Sequence, residues 1–407
     1  MIADPDVSII LPTFNRADVI WRAVDSIRRQ TFENWELIII DDGSTDDTVA
    51  QLKRLDDERL RIVTQVNSGT YIARNLGLQL ARGRYITFMD SDDEWLPHFL
   101  ALTIGFLKNH PEAQWVTTEW REDHGADKPF LLHDQHDINQ IYLKFARSIG
   151  SKGLDLPSGE TDGYLRVYQS RAAIGAWGRE ILDQLGLDTA SVYSGQIFES
   201  MRWGYLNWLP VTVMTRHAME TVGLFTTHTR SAADYRFLCL LARHFPCHMI
   251  AVASAVKYEK AAGSKALACG HLATGANAYR FELNKLSFFD ELFWQPRRSD
   301  AELSLLRKHY CLHAGHRALM AGQRSEAIDL LGSALALRRG LWRAAPMGLL
   351  ALVLPGRLCG LTYRSLLRLQ EVGSRLAQGH LSPRAFLGKL MNKAQAQFHV
   401  KAARDPA

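Results

Sequence analysis

Residues 7–48 read VSIILPTFNRADVIWRAVDSIRRQTFENWELIIIDDGSTDDT. Two runs in it, VSIILP and WELIIID, are short, apolar and β-branched, and each stops at turn-forming or acidic residues. That is how a buried strand reads. Between them Val19, Ile20, Ala23, Val24 and Ile27 recur at helical spacing. The pattern continues outward. DDGSTDDTVAQLKRL (41–55) opens with a Gly-Ser turn and carries Thr and Asp residues suited to starting a helix. LRIVTQ (60–65) reads as a third strand, GTYIARNLGLQLARG (69–83) as a helix ended by Gly83, and RYITFMD (84–90) as a fourth strand. Strands and helices alternating in such short units predict an α/β fold, with a mostly parallel sheet flanked by helices.

The bulk properties fit that reading. With 407 residues, 47% hydrophobic and 22% charged, the chain is of ordinary globular composition and long enough for two domains. A net charge of +5 is too mild to imply a nucleic-acid partner, and none is expected. The basic excess lies late, in LRRGLWR (337–343) and MNKAQAQFHVKAAR (391–404). Beside apolar helices such segments suit an anionic membrane surface. Ala344–Gly356, AAPMGLLALVLPG, is apolar and bracketed by Arg343 and Arg357. It is shorter than the roughly 20 residues a membrane-spanning helix needs, which leaves a buried helix or an interfacial segment. Cys239, Cys247, Cys269, Cys311 and Cys359 are widely spaced, with no CxxC, so a reducing cytosol is expected rather than disulfides or zinc. The opening MIADPDVSIILPTF has no basic start and no cleavage site, so no secretory signal is read there.

The pattern weakens from about 120 to 200, a stretch read as an insertion or acceptor region, with HGADKPFLLHDQHD and SKGLDLPSGETDG as loops. SAADYRFLCLLARHF (231–245) is a clear helix and HMIAVASAVKYE (248–259) a strand. From about 266 helix follows helix. KHYCLHAGHRALMAGQRSEAIDLLGSALALRRG (308–340) reads as one tetratricopeptide-like hairpin broken at Gly322. The expected organisation is a catalytic domain over 1–265 and an α-helical C-terminal region over 266–407.

Ligands of parallel α/β sheets bind beyond the carboxyl ends of the strands. Four motifs lie at such ends or open a helix beside them. PTFN supplies Pro12, Thr13 and Asn15, which alone would only make a turn. IIIDDGSTDDT supplies Asp41 and Asp42, acceptors for the donor groups of a ribose or a base edge. NSGTYIARNLG places Arg74 one turn inside a helix, where a basic side chain can meet a diphosphate. YITFMDSDDEW places Asp90 and Asp92 at DxD spacing, hard oxygen ligands of the kind that suit Mg²⁺ or Mn²⁺. Asp93 and Glu94 suit capping the helix that begins near Pro97.

In this order the four motifs resemble the family 2 glycosyltransferases, over roughly residues 6–265 and most closely over the first hundred. The resemblance implies the Rossmann-like GT-A fold and transfer of a sugar from a nucleotide-diphospho-sugar, expected to be UDP-linked, with inversion at the anomeric carbon. It implies that Asp42 reads the base, Asp90 lies near the ribose, Arg74 near the nucleotide, and Asp92 holds a divalent metal, Mn²⁺ or Mg²⁺. Pro12, Thr13 and Asn15 then border the nucleotide. SAADYRFLCLLAR matches the family's helix with the catalytic base, which falls on Asp234, while Ala233 stands where the family usually has Glu. TVMTRHAMETVGLF (212–225) matches the segment before that helix. KYEKAAGSKA stands where the family often has a basic loop over the phosphates, making Lys257, Lys260 and Ser264 candidates. The implied acceptor is a hydroxyl of a polysaccharide, lipopolysaccharide or lipid-linked glycan of a bacterial cell envelope. The implied place is the cytoplasm or the inner face of its membrane. Two other readings stand beside this one. A nucleotidyltransferase would typically carry a Gly-rich loop after strand one, where this chain has PTFNRAD. A binding module without catalysis would suit Ala233.

Overall fold

The computed structural model describes residues 5–123, 131–132, 155–156, 160–229, 231–258, 275–294 and 301–336. Strand β1 (Val7–Thr13) is buried along its whole length, and so is β2 (Trp35–Asp41). Both are covered on two faces, which is why they read as continuous apolar runs rather than alternating ones. Val7, Ile9 and Leu11 pack with α1 (Ile20–Arg28), α2 (Thr48–Leu52) and α4 (Phe99–Asn109) in one core cluster. Ser8 and Ile10 point to the other face, toward α3 (Thr70–Leu80) and the turn after it.

β1 is paired in parallel with β2 and with β4 (Tyr85–Phe88), and β2 in parallel with β3 (Leu60–Thr64). The expected parallel arrangement thus holds over β3-β2-β1-β4. Beyond it the sheet is mixed. β10 (Thr212–Thr215) runs antiparallel between β4 and β6 (Trp115–Asp123). β11 (Cys247–Tyr258) lies parallel to β6, with β9 (Ser191–Gly195) and then β8 (Ser170–Ala173) antiparallel beyond it. Two short strands, β5 (Glu94–Trp95) and β7 (Leu131–Leu132), add to β11 and β6. The four-residue β10 is too short for its sequence to show its direction, which comes from the long excursion before it.

The crossover after α3 is held by a buried polar knot. The Ser8 hydroxyl donates to Glu36 Oε1 at 2.6 Å, and Arg82 donates to the same carboxylate from its backbone N–H (2.8 Å) and its guanidinium (2.8 Å). Gly83 follows. A Cβ there would lie 2.5 Å from the backbone nitrogen of Ser8, so only glycine lets the chain pass. Arg216, at the start of α7 (Arg216–Val222), donates to the carbonyls of Ala81 (3.0 Å) and Gly83 (2.6 Å) and ties β10 to this turn.

The weakly patterned stretch carries α5 (Arg179–Gln184), α6 (Phe198–Met201) and the β8–β9 hairpin. Every residue of β8 is exposed, so no apolar alternation announces it. The described residues form two compact units, the first reaching Tyr310 and the second starting at Cys311. In the first, α8 (Ala233–His244) meets α9 (Gly275–Leu292) through an Arg236–Glu291 ion pair at 2.5 Å. A helical C-terminal region is present: α10 (Ala301–Met320) and α11 (Arg324–Ala336) are separated by Gly322, whose φ of 79° makes the turn. Within the second unit Gly315 of α10 lies against Leu330 and Leu331 of α11. Among the described residues no helix is long and apolar enough to cross a membrane. Ala344–Gly356 lies outside them. Cys239, Cys247 and Cys311 are buried and form no disulfide among the described residues, while Cys269 and Cys359 lie outside them.

Candidate active site

The carboxyl ends of the parallel strands meet at one sheet edge, and backbone bonds lock them together. Asp42 donates its N–H to Thr13 O at 2.8 Å, and Gln65 to Asp41 O at 2.9 Å. Asn15 crosses from the first loop to the second. Its N–H donates to Ser44 Oγ (2.9 Å), and its side-chain oxygen accepts from the Thr45 N–H (2.8 Å). Its left-handed φ of 51° suits an asparagine, which tolerates that region. Asp42 is buried and accepts from Gln65 Nε2 (2.7 Å), Ser68 N (2.8 Å) and Gly69 N (2.8 Å). Its carboxylate therefore shapes the 65–69 loop that leads into α3. Thr13 Oγ1 is buried with no partner among the described residues, and Pro12 lies inside β1.

α3 brings Arg74 to the acidic loop. Its guanidinium pairs with Asp90 Oδ1 at 2.6 Å and is itself almost fully buried. Burial works against the Arg74 charge, but Asp90, Tyr71 and Asp234 together hold the cation more firmly than usual. Asp92 has Arg16 at 3.8 Å, and Arg22 donates to its carbonyl at 2.5 Å. Burial and the neighbouring Asp90 charge raise the Asp92 carboxyl above the usual range, against Arg16. Burial, Asp92 and Asp90 push Asp93 well above it. A cation would relieve that crowding. Among the described residues no group of three or more His, Cys, Asp or Glu side chains is arranged to hold a metal. A hard cation at Asp92 therefore fits only if substrate phosphates and water complete its shell, as Mg²⁺ commonly requires.

Asp93 and Glu94 do not cap the following helix. α4 starts at Phe99 after His98, with no side-chain cap. Asp93 Oδ1 accepts instead from the Tyr258 N–H (3.0 Å), and Glu94 Oε2 from the Tyr258 hydroxyl (2.9 Å). Arg22 lies 3.6 Å over the Tyr258 ring. The end of β11 is thereby fastened to the acidic loop.

Asp234 sits in the first turn of α8, after Ala232 in the left-handed region at φ 63°. Such a conformation in a residue other than glycine costs about 1–3 kcal/mol and tends to occur at functional sites. Asp234 Oδ1 accepts from two hydroxyls, Tyr71 at 3.1 Å and Tyr205 at 3.3 Å. Ala233, where a Glu was expected, donates its N–H to the Tyr71 oxygen at 3.2 Å. Burial first, and the Asp234 charge second, raise both phenols well above their usual range, so both keep their protons. Lys257 pairs with Glu122 at 3.1 Å. Lys260 and Ser264 lie outside the described residues.

The fold thus brings Thr13, Asn15, Asp42, Arg74, Asp90 and Asp92 to one edge and joins Asp234 to it through Tyr71. Arg16, Arg22, Tyr71, Tyr205 and Tyr258 complete the arrangement and were not singled out from sequence. Tyr71 stands three residues before Arg74, hence on the same face of α3, and that spacing could have flagged it. Nothing local marks Tyr205.

Residues 8–165 match the model of the glycosyl transferase family 2. Over 137 residues the chain is 40% identical to an Escherichia coli UDP-Glc:alpha-D-GlcNAc-diphosphoundecaprenol beta-1,3-glucosyltransferase, WfgD, covering 33% of this chain and 54% of that protein. A second E. coli enzyme of the same description, WfaP, is 41% identical over 103 residues, covering 25% of this chain and 41% of its own. The chain therefore spans about half the length of the curated relatives it matches. The crystal structure of S. aureus TarS 1-349 in complex with UDP-GlcNAc superposes with a TM-score of 0.52 at 14% identity, covering 88% of this chain and 92% of that one. That likeness concerns the fold, which is GT-A.

Proposed function

We propose that this chain, which carries a glycosyl transferase family 2 domain over residues 8–165, transfers a hexose from a UDP-sugar to a hydroxyl of a lipid-linked or polysaccharide glycan. One observation carries the reading: α3 holds Arg74 against Asp90 at 2.6 Å and Tyr71 against Asp234 at 3.1 Å. A single helix so links the loop suited to a nucleotide diphosphate to the carboxylate suited to a base. The two E. coli relatives support the donor and acceptor classes, since both are described as using UDP-Glc and a diphosphoundecaprenol-linked sugar. They also support inversion, because a β-linkage formed from an α-linked nucleotide sugar inverts the anomeric carbon.

In this reading the nucleotide lies over Pro12, Thr13 and Asn15, with Asp42 fixing the loop at its base edge and Asp90 near the ribose. Arg74 offers charge to the diphosphate. Asp92 would hold Mn²⁺ or Mg²⁺ together with the phosphate oxygens, which would supply neutralisation of the leaving group. Asp234 takes the proton of the acceptor hydroxyl as it attacks, in a single displacement with no enzyme nucleophile. Lys257 is the candidate for the phosphate side in this reading, while Lys260 and Ser264 lie outside the described residues. Contact with an anionic membrane face would suit a lipid-linked acceptor.

The test is Asp234→Asn, assayed with UDP-glucose and a GlcNAc-diphospholipid acceptor. Transfer is expected to fall at least about 100-fold, the usual scale for losing a general base. Calorimetry with UDP and Mn²⁺ should give an affinity for that variant unchanged within about twofold, whereas Asp92→Ala should lose the Mn²⁺-dependent part of binding. Near-normal transfer by Asp234→Asn would overturn the assignment of the base.

A further inference from the structure

Asp234 uses its two carboxylate oxygens unequally. Oδ1 accepts from Tyr71 (3.1 Å) and from Tyr205 (3.3 Å), while Oδ2 accepts no hydrogen bond among the described residues. The Tyr71 hydroxyl has one proton and is already the acceptor for the Ala233 N–H at 3.2 Å. With that lone pair engaged, its proton has Asp234 as its destination. Neither ring is free to swing. Tyr71 stacks on Phe225, with centroids 5.8 Å apart and planes at 22°. Tyr205 packs against Tyr235 at 4.8 Å and lies nearly parallel to Phe281 at 6.2 Å. Phe225 in turn stacks on Phe237 of α8 at 4.3 Å, so the ring beneath Tyr71 and the helix bearing Asp234 belong to one packed block.

We infer that Tyr71 and Tyr205 are positioning residues that pin Oδ1 of Asp234 and leave Oδ2 as the atom presented to the acceptor hydroxyl. This rests on the reading of Asp234 as the base. Two donors converging on one oxygen fix both the tilt and the spin of the carboxylate, which a single bond would not. A base held in one orientation meets the incoming hydroxyl without a rotamer search. The clamp also sets where the base stands relative to the donor. Tyr71 and Arg74 share a face of α3, with the guanidinium carbon 5.6 Å from the Tyr71 ring centroid, and Arg74 grips Asp90. Among the described residues, the charged and titratable groups around Asp234 include Tyr71 and Arg74 from α3, Tyr205 from the segment before β10, and Cys239, farther along α8 beside Tyr205.

The test uses Tyr71→Phe and Tyr205→Phe, which remove one oxygen each and keep the packed rings. With the full chain, transfer from UDP-glucose to the GlcNAc-diphospholipid acceptor should show kcat lowered about tenfold in each variant, the scale of one lost hydrogen bond to a charged acceptor. The donor KM, and the UDP affinity measured by calorimetry, should stay unchanged within about twofold. A merely structural role would lower the melting temperature and weaken UDP binding together with kcat; that result, or an unchanged kcat in folded variants, overturns the clamp. Its failure is separable from failure of the base: normal transfer by the two tyrosine variants beside lost transfer by Asp234→Asn overturns the clamp alone.

Discussion

Burial by itself would push the Glu36 carboxyl up, but the Ser8 hydroxyl, the Arg82 backbone N–H and the Arg82 guanidinium together carry it below the ordinary glutamate value. A carboxyl lowered in the folded state adds stability that is fully present above its unfolded pKa, about 4.3. That stability is lost as pH falls through the lower folded value. Glu36→Gln should therefore cost about 1–3 kcal/mol near pH 7. The gap in melting temperature from the unsubstituted chain should close as the buffer is taken from pH 6 toward pH 3. A gap that stayed constant across this range would show that charge at Glu36 is not what matters. Single residues were also where the sequence spoke most unevenly. Asp42, Arg74, Asp90 and Asp92 were legible because each follows a strand or opens a helix in a short motif. The Asp92 partners Arg16, in the loop after β1, and Arg22, on α1, were not, because an arginine there reads the same whether it faces water or an acidic loop some 70 residues away.

Among the elements, the turn from α3 into β4 lies at the end of β1 opposite the site and sets how β1 and α3 meet. Gly83 passes so close to β1 that an added Cβ would lie 2.5 Å from Ser8 N and 2.7 Å from Val7 C. Both are backbone atoms of a strand paired on both sides, so they cannot yield cheaply. Gly83→Ala is expected to destabilise by about 1–3 kcal/mol, as overpacking in a core does. The melting temperature should drop measurably, and UDP affinity should weaken with it, since β1 and α3 carry Thr13 and Arg74. An unchanged melting temperature would mean the crossover has slack that these distances deny. The first four strands and their helices were readable because burial on both faces writes an uninterrupted apolar run. β8 was not, since an exposed edge strand needs no such run, nor was β9, whose five residues are only partly buried and leave no clear period to find.

For the molecule as a whole, the charge lies unevenly. The acids gather in the first half and the late arginines, Arg338, Arg339, Arg343, Arg357 and Arg364, flank the apolar Ala344–Gly356. If that end meets an anionic bilayer, the full chain should float with phosphatidylglycerol vesicles and less with neutral ones. Replacing the five arginines by serine should leave it at the bottom of the gradient. A chain that never floats sinks the membrane part of the reading without touching the transfer reaction. The sheet's reversal at β10 has its own consequence. A strand running with its neighbours delivers to the site edge whatever follows it, as β1, β2 and β4 do. A strand running against them delivers whatever precedes it. Thr212 stands at the head of β10, so the chain just upstream, with Tyr205 in it, arrives at the same rim as Thr13, Asp41 and Phe88. The rim is thus written in two reading directions, and residues that shape it must be sought before Thr212 as well as after the parallel strands.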